Sequence, residues 1–330
     1  MRPTSPSQIL KQVNAPAFLI TDLINIRYLT GLSVSVGVML IVPRKLLFFV
    51  DSRYRDMAGR MDSDMTVKDL GDLPAMMNEI RRCGFEAEDV TVHRRESWTK
   101  KFPKTKFLPT IGILQSFRRQ KEDDELRCLR RAHRMTKELL RRVPSVLRKH
   151  ITEERLARQL LQWALELGAD GLSFDPIVAF GTHTACPHHH PTPRMLQKGH
   201  IVQIDVGAKY RGYCADMSEV FFTVTPTKTE AQVYHALQVA QRSAIRAIRP
   251  GVSNRKLDRI ARSVLKKAGI EHYFTHSLGH GVGLEIHEGV SLSQKAPEQK
   301  LLKNEVITIE PGVYIPGKFG MRVEEMIFVQ

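Results

Sequence analysis

The sequence predicts two folded parts, an α/β domain over residues 1–117 and an α+β domain over residues 118–330. Three observations predict this. In the first part, short apolar runs alternate with stretches of helical spacing, as strands interleaved with helices do. In the second, long amphipathic helical patterns are followed by strands that fall into antiparallel pairs. Between them lies Arg118-Arg-Gln-Lys-Glu-Asp-Asp-Glu, a charge run of the kind that opens a solvated helix. With 330 residues, 42% hydrophobic and 26% charged, the chain can pack two cores, which excludes global disorder.

The first domain opens with Phe18-Leu-Ile-Thr, Gly37-Val-Met-Leu-Ile-Val and Lys45-Leu-Leu-Phe-Phe-Val, apolar runs closed by turn or charged residues and so read as strands. Residues 63–71 and 85–93 read as two more strands, and 74–83 carries apolar residues at helical spacing. In the second domain a helix runs from the charge run to about Leu147. Another is expected over 152–167, where Glu153 and Glu154 in the first turn suit the helix dipole. Two more are expected over 230–249, ending at Pro250-Gly251, and 254–268, stopping at Gly269. Strands are expected over 177–180, 201–206, 214–224, 306–309 and 321–329, so that a pair around 201–224 is echoed by one around 305–330.

The composition excludes several classes. The most apolar stretch, residues 36–50, is broken by Pro43-Arg44-Lys45, and neither half can span a bilayer, so no membrane is expected. Residues 1–20 lack a continuous apolar run, and no signal peptide is expected. Cys83, Cys128, Cys186 and Cys214 form no CxxC pair, which points to a reducing compartment, the cytoplasm, and away from zinc-ribbon chemistry. The net charge of +15 is spread over both halves, and with 2 Trp and 7 Tyr it marks no nucleic-acid face.

Four segments carry chemistry. In Ile201-Val-Gln-Ile-Asp205-Val-Gly an apolar strand ends in an aspartate; a turn follows, and a second strand carries Asp216. A hairpin of that length brings both carboxylates to neighbouring strands and one cavity. Aspartate is depleted in strands and costly to bury unless paired or bound to a metal. In Phe274-Thr-His276-Ser-Leu-Gly-His280-Gly-Val-Gly-Leu-Glu-Ile-His287 three histidines are interleaved with glycines, which allow close backbone approach. Val306-Ile-Thr-Ile-Glu310-Pro-Gly again ends an apolar strand in a carboxylate. In Met321-Arg322-Val-Glu324-Glu325-Met326, period-two alternation puts Arg322, Glu324 and Met326 on one face and Glu325 on the other. Each segment alone is an ordinary strand end. Together, four carboxylates and one imidazole suit two divalent cations, with oxygen-rich ligation favouring Mn²⁺, Fe²⁺ or Co²⁺. Paired cations of this kind activate a water and hold a carbonyl for attack.

These motifs, in this order from about Phe117 to the C-terminus, resemble the pita-bread metallopeptidases, the family of methionine aminopeptidase, aminopeptidase P, prolidase and creatinase. The resemblance implies that Asp205, Asp216, His280, Glu310 and Glu324 bind two metal ions, with Asp216 and Glu324 bridging. It implies that His188, in Pro187-His188-His189-His190-Pro191, and His287 stabilise the tetrahedral intermediate, with Glu310 taking the proton of the attacking water. His276 matches a substrate-side histidine of the proline-specific branch, and Arg322 a residue that binds on the substrate side or orients the carboxylates. The triple histidine at 188–190 also reads as a metal tract of its own. Phe18-Leu-Ile-Thr-Asp-Leu-Ile-Asn-Ile-Arg-Tyr-Leu-Thr-Gly and Phe49-Val-Asp-Ser-Arg-Tyr resemble the N-terminal domain of aminopeptidase P, prolidase and creatinase. The branch implied is an Xaa-Pro aminopeptidase or Xaa-Pro dipeptidase, a homodimer acting on proline-containing peptides with two divalent metal ions, Mn²⁺ first, then Co²⁺ or Fe²⁺. Two other readings stay open: a non-catalytic binding module, and a different hydrolase of the same fold such as creatinase. Retention of all five ligand positions weighs against both. Three departures stand out. Ser218-Glu219 replaces a common Ser/Thr-Arg and is expected to alter the charge near the site. Gly199-His200 replaces Gly-Asp, and the chain ends at Gln330, directly after the last motif strand.

Overall fold

A computed structural model describes residues 5–60, 65–147 and 150–330, in two compact units, Met1–Arg118 and Arg119–Gln330. In the first unit α1 (Pro6–Val13), β1 (Phe18–Ile20), α2 (Leu23–Thr30), β2 (Val38–Val42), β3 (Lys45–Val50), α3 (Ser52–Gly59), β4 (Met65–Asp69), α4 (Leu73–Asn78), β5 (Arg82–Glu86), α5 (Val92–Lys101), β6 (Lys106–Thr110) and α6 (Ile113–Arg118) follow in order. The strands form one mixed sheet in the order β4-β3-β2-β1-β5-β6, antiparallel at β1–β2 and β2–β3 and parallel elsewhere. β1 is buried along its whole length, and β2 and β3 nearly so, because helices cover the sheet; their sequences are accordingly continuous apolar runs.

Two expectations in this unit are corrected. The strand expected at 85–93 is β5, which starts at Arg82 and ends at Glu86; Thr91 then caps α5 by accepting from the Arg94 N–H. The helix expected at 74–83 stops at Asn78, because Cys83 and Gly84 pair with Phe107 and Leu108 in the sheet. The strand expected at 63–71 is β4; its first two expected residues lie outside the described residues.

The second unit contains α7 (Asp123–Arg142), α8 (Glu153–Glu166), β7 (Gly171–Leu172), β8 (Ile177–Phe180), β9 (Ile201–Val206), β10 (Ala208–Tyr210), β11 (Tyr213–Cys214), β12 (Met217–Phe222), α9 (Lys228–Arg246), α10 (Asn254–Lys267), β13 (Gly279–His280), β14 (Ser291–Leu292), β15 (Val306–Ile309), β16 (Gly312–Ile315), β17 (Phe319–Arg322) and β18 (Glu325–Phe328). The helices amphipathic in sequence bury one face each: Leu129, Ala132, Leu139 of α7, Leu156 and Leu160 of α8, Leu237 and Ala240 of α9, Leu257 and Ala261 of α10. Two cores result. One joins α7 and α8 to β8 and β9; the other joins α9 and α10 to β15, β16 and β17. β12, β9 and β8 form an antiparallel sheet, and β15 pairs with β18, β16 with β17. The single strands expected at 214–224 and 321–329 are each two strands with a break, at residues 215–216 and 323–324. Both breaks carry a carboxylate, Asp216 and Glu324. Among the described residues no helix is long and apolar enough to cross a membrane.

Candidate metal centre

The hairpin register sets the first two carboxylates. Asp205 pairs with Ser218 across β9 and β12, and Lys209 pairs with Cys214 across β10 and β11. The turn between β10 and β11 places Arg211 and Gly212 at positive φ, 47° and 77°. Asp216 occupies the break between β11 and β12. Gly207 makes this approach possible: a Cβ there would lie 1.7 Å from the Ala215 carbonyl oxygen. The same device recurs at β13. A Cβ on Gly279 would lie 2.1 Å from the Thr308 carbonyl oxygen, so only glycine lets the chain bring His280 against β15. The His280 N–H donates to Thr308 Oγ1 at 3.1 Å, and the Glu310 N–H to the Leu278 carbonyl at 2.8 Å. The Glu324 N–H donates to the Ser218 carbonyl at 3.0 Å, which ties the β17–β18 break to the hairpin.

All nine residues singled out from the sequence line one cavity of about 560 Å³: Asp205, Asp216, His280, Glu310, Glu324, His188, His287, His276 and Arg322. Ligand atoms of Asp216, His280 and Glu324 lie within 4.8 Å of one another. His280 Nδ1–H donates to the Gly281 carbonyl at 3.1 Å, which leaves the Nε2 lone pair facing Asp216 Oδ2 at 3.4 Å and Glu310 Oε1 at 3.6 Å. Three buried carboxylate oxygens, Asp205 Oδ1, Asp216 Oδ1 and Glu324 Oε1, have no hydrogen-bond partner among the described residues. Buried oxygens without donors are costly. A lone pair aimed at two carboxylates, with unpartnered oxygens in the same cavity, is a donor set that fits divalent cations.

The electrostatics agree. Burial, and then repulsion among Asp205, Asp216, Glu310 and Glu324, pushes the carboxyls of Asp216 and Glu324 well above the ordinary range. Burial raises Glu310 as well, against the attraction of His280 and Arg322. Within the cluster the fixed counter-charge is the Arg322 guanidinium. It donates to Asp205 Oδ2 and Tyr314 Oη, each at 2.5 Å, to Ser218 Oγ at 2.9 Å and to the Pro187 carbonyl at 3.3 Å. One buried cation thus orients the hairpin, the 187–188 loop and β16 together.

His276 and His287 are held uncharged. Burial, and then the positive charge of Arg322, lowers His276 to about 3; its Nδ1–H donates to the Ser277 carbonyl and its Nε2 accepts from Tyr314 Oη at 3.1 Å. Burial, and then His280, lowers His287 to about 4, its ring 4.2 Å from that of His280. Phe174, Ile177, Ile286 and Val290 add apolar lining to the same cavity.

Two residues of this network escaped the sequence reading. Tyr314 links Arg322 to His276, and Ser218 donates to Glu324 Oε2 at 2.9 Å while accepting from Arg322. Both lie on strands whose alternation places them inward, but a tyrosine and a serine there resemble any core-facing residues. Glu219 does not lie at the cavity. Strand alternation turns it to the opposite face, where it accepts from Tyr234 Oη at 3.2 Å, and the charge departure expected near the site is absent from it. Glu325 likewise points outward, paired with His133 and with Lys137 at 3.0 Å, as the alternation requires. The triple histidine divides: His188 lines the cavity, whereas His189 donates to Glu153 at 2.9 Å.

Residues 127–330 match the sequence model of metallopeptidase family M24, and residues 6–120 that of the creatinase/prolidase N-terminal domain. An uncharacterized peptidase of Bacillus subtilis (strain 168) is 29% identical over 96% of this chain and 92% of its own length. Among solved structures, an Xaa-Pro dipeptidase from Bacillus anthracis superposes with a TM-score of 0.94 at 28% identity, covering 98% of this chain and 93% of that one. An X-Pro aminopeptidase from Thermotoga maritima does so with a TM-score of 0.89 at 30% identity, covering 98% and 95%. A site built to hold divalent cations on a fold shared with these peptidases has one family assignment: the chain belongs to metallopeptidase family M24, with a pita-bread catalytic domain that follows a creatinase/prolidase-type N-terminal domain.

Proposed function

We propose that the chain hydrolyses the peptide bond preceding proline, with two divalent ions, Mn²⁺ first, held by Asp205, Asp216, His280, Glu310 and Glu324. The observation that carries this reading is the set of buried carboxylate oxygens without donors in the cavity that His280 Nε2 faces, which Phe174, Ile177, Ile286 and Val290 also line. The ions supply an activated water and an electrophile for the scissile carbonyl. Glu310, on the cavity lining, accepts the proton of the attacking water. His188 and His287, on the cavity wall, donate N–H groups to the oxygen on which charge develops. Arg322 fixes Asp205 and the Pro187 carbonyl, and so the distance between the carboxylates and His188. His276, anchored through Tyr314, faces the substrate. The apolar lining of Phe174, Ile177, Ile286 and Val290 receives the pyrrolidine ring, which brings no N–H to be satisfied. Both solved structures compared are named for action on Xaa-Pro bonds, one as a dipeptidase and one as an aminopeptidase. The reading extends to a homodimer, as the resemblance of the sequence motifs implies, working in the cytoplasm, as the four cysteines without a CxxC pair suggest, with domains spanning residues 1–117 and 118–330.

Hydrolysis of Ala-Pro, Ala-Pro-Ala, Ala-Ala and Ala-Ala-Ala tests this. Cleavage of the proline peptides, with the alanine peptides at least 100-fold slower, supports it; release of alanine from the tripeptide marks an aminopeptidase, and cleavage of the dipeptide alone a dipeptidase. Equal rates on all four would overturn the proline assignment.

A further inference from the structure

Outside the cavity, one buried carboxylate is surrounded by donors. Glu153, at the first turn of α8 and fully buried, accepts five hydrogen bonds: from the Phe180 N–H at 2.8 Å, His183 Nδ1 at 2.9 Å, His189 Nε2 at 2.9 Å, the Thr192 N–H at 3.0 Å and Thr192 Oγ1 at 2.6 Å. These donors span the loop from the end of β8 to residue 192, which carries His188. The His183 and His189 rings pack with centroids 4.4 Å apart. Burial works against the charge of Glu153, but the hydrogen bonds of Thr192, His189 and the backbone outweigh it and hold the carboxyl below its ordinary range. On the other side of His188, the Pro187 carbonyl accepts from Arg322. His188 is therefore bracketed: its preceding residue is tied to the cavity's arginine and its following residue to Glu153.

We infer that Glu153 is a positioning residue, which holds the 181–192 loop so that His188 faces the reacting carbonyl. The inference rests on the reading of His188 given above. Glu153, His183 and His189 also bring ligand atoms within 4.8 Å of one another, as Asp216, His280 and Glu324 do. The two groups differ in one respect. Asp216 and Glu324 each keep an oxygen without a donor, whereas both oxygens of Glu153 are filled by protein N–H and O–H groups. Glu153 is built to accept from a loop rather than to bind an ion.

The test is a double-mutant cycle on the metal-loaded protein with Ala-Pro and Ala-Pro-Ala. Glu153→Gln keeps the side-chain volume but replaces one acceptor oxygen by a donor. It is expected to lower kcat about 10- to 100-fold, since a small misplacement of a reacting group costs that much, with KM changed less than about threefold and bound metal unchanged. In a His188→Ala background the same substitution is expected to cost less than about twofold, because the group it positions is gone. Additive losses in the two backgrounds, or a third metal equivalent that disappears with Glu153→Gln, would overturn the inference. Near-normal turnover by His188→Ala would instead remove the reading of His188, and the inference with it. Should Glu153→Gln fail to fold, Thr192→Val removes one of the five bonds and is expected to give a smaller kcat loss with the same non-additivity; full additivity there overturns the inference equally.

Discussion

At the scale of single residues, the chemistry concentrates where the sequence breaks its own pattern. Asp205, Glu310 and Glu324 end or interrupt apolar strands, and that conflict makes them legible from the sequence alone: an acidic residue at a core position needs a partner. Protein satisfies them only in part: Arg322 and Ser218 reach one oxygen each of Asp205 and Glu324, and the other oxygens, with one of Asp216, go without donors among the described residues. Asp216→Asn and His280→Ala should each lower kcat/KM for Ala-Pro-Ala at least about 100-fold and reduce the bound metal, read by elemental analysis of the same samples. Near-normal turnover in either would contradict the ligand assignment. Tyr314 and Ser218 are not legible, because hydroxyls on core strands announce nothing without a register; their partners, Arg322, His276 and Glu324, come from distant segments. Tyr314→Phe removes one of the four acceptors of Arg322 and the donor to His276. A loss of about tenfold in kcat/KM is expected, with metal content retained; an unchanged kcat/KM would show that the link through Tyr314 does not matter.

Among the elements, legibility follows amphipathicity. α8 and α10 appear within two residues of their expected bounds, because each has a buried leucine stripe and clear ends. α5 is invisible in the sequence: Val92-His-Arg-Arg-Glu-Ser-Trp-Thr-Lys-Lys buries no residue, and its one signal is the Thr91 cap. β5 is displaced from its expected bounds because pairing with β1 and β6, not local pattern, sets its ends. The breaks at 215–216 and 323–324 cannot be seen in single strands of apolar sequence, yet they turn Asp216 and Glu324 into the cavity. Glycine is what makes this geometry possible. Gly207→Ala and Gly279→Ala put a methyl group against backbone oxygens at 1.7 and 2.1 Å, and each should destabilise the second unit by about 3 kcal/mol or more. The check is the urea midpoint, followed by Trp163 fluorescence in a Trp98→Phe background; an unshifted midpoint would mean the close approach is not needed.

On the scale of the whole chain, the two units carry separate titrations. In the N-terminal unit Glu86 accepts from the Thr21 and Asp22 N–H groups and from Asn25 Nδ2, and burial raises it from 4.5 to about 7. The folded state then keeps a proton that the unfolded state releases. Its contribution is full below pH 4.5 and is lost as pH rises through 7, by at most about 3 kcal/mol. Urea unfolding followed by Trp98 in a Trp163→Phe background should show that decline between about pH 5 and 8, and Glu86→Gln should flatten it; an equal slope in both would assign the decline elsewhere. In the second unit the sequence disclosed the cavity's cast but not its support, since Glu153, Ser218 and Tyr314 act through other side chains. The central claim, that the buried carboxylates exist to hold two catalytic cations, is tested most directly by adding Mn²⁺ stepwise to EDTA-stripped protein while following Ala-Pro and Ala-Pro-Ala hydrolysis. The expected result is no turnover in the stripped protein and a plateau at two equivalents per chain. Turnover that survives stripping, or two bound ions without cleavage of either peptide, would contradict it.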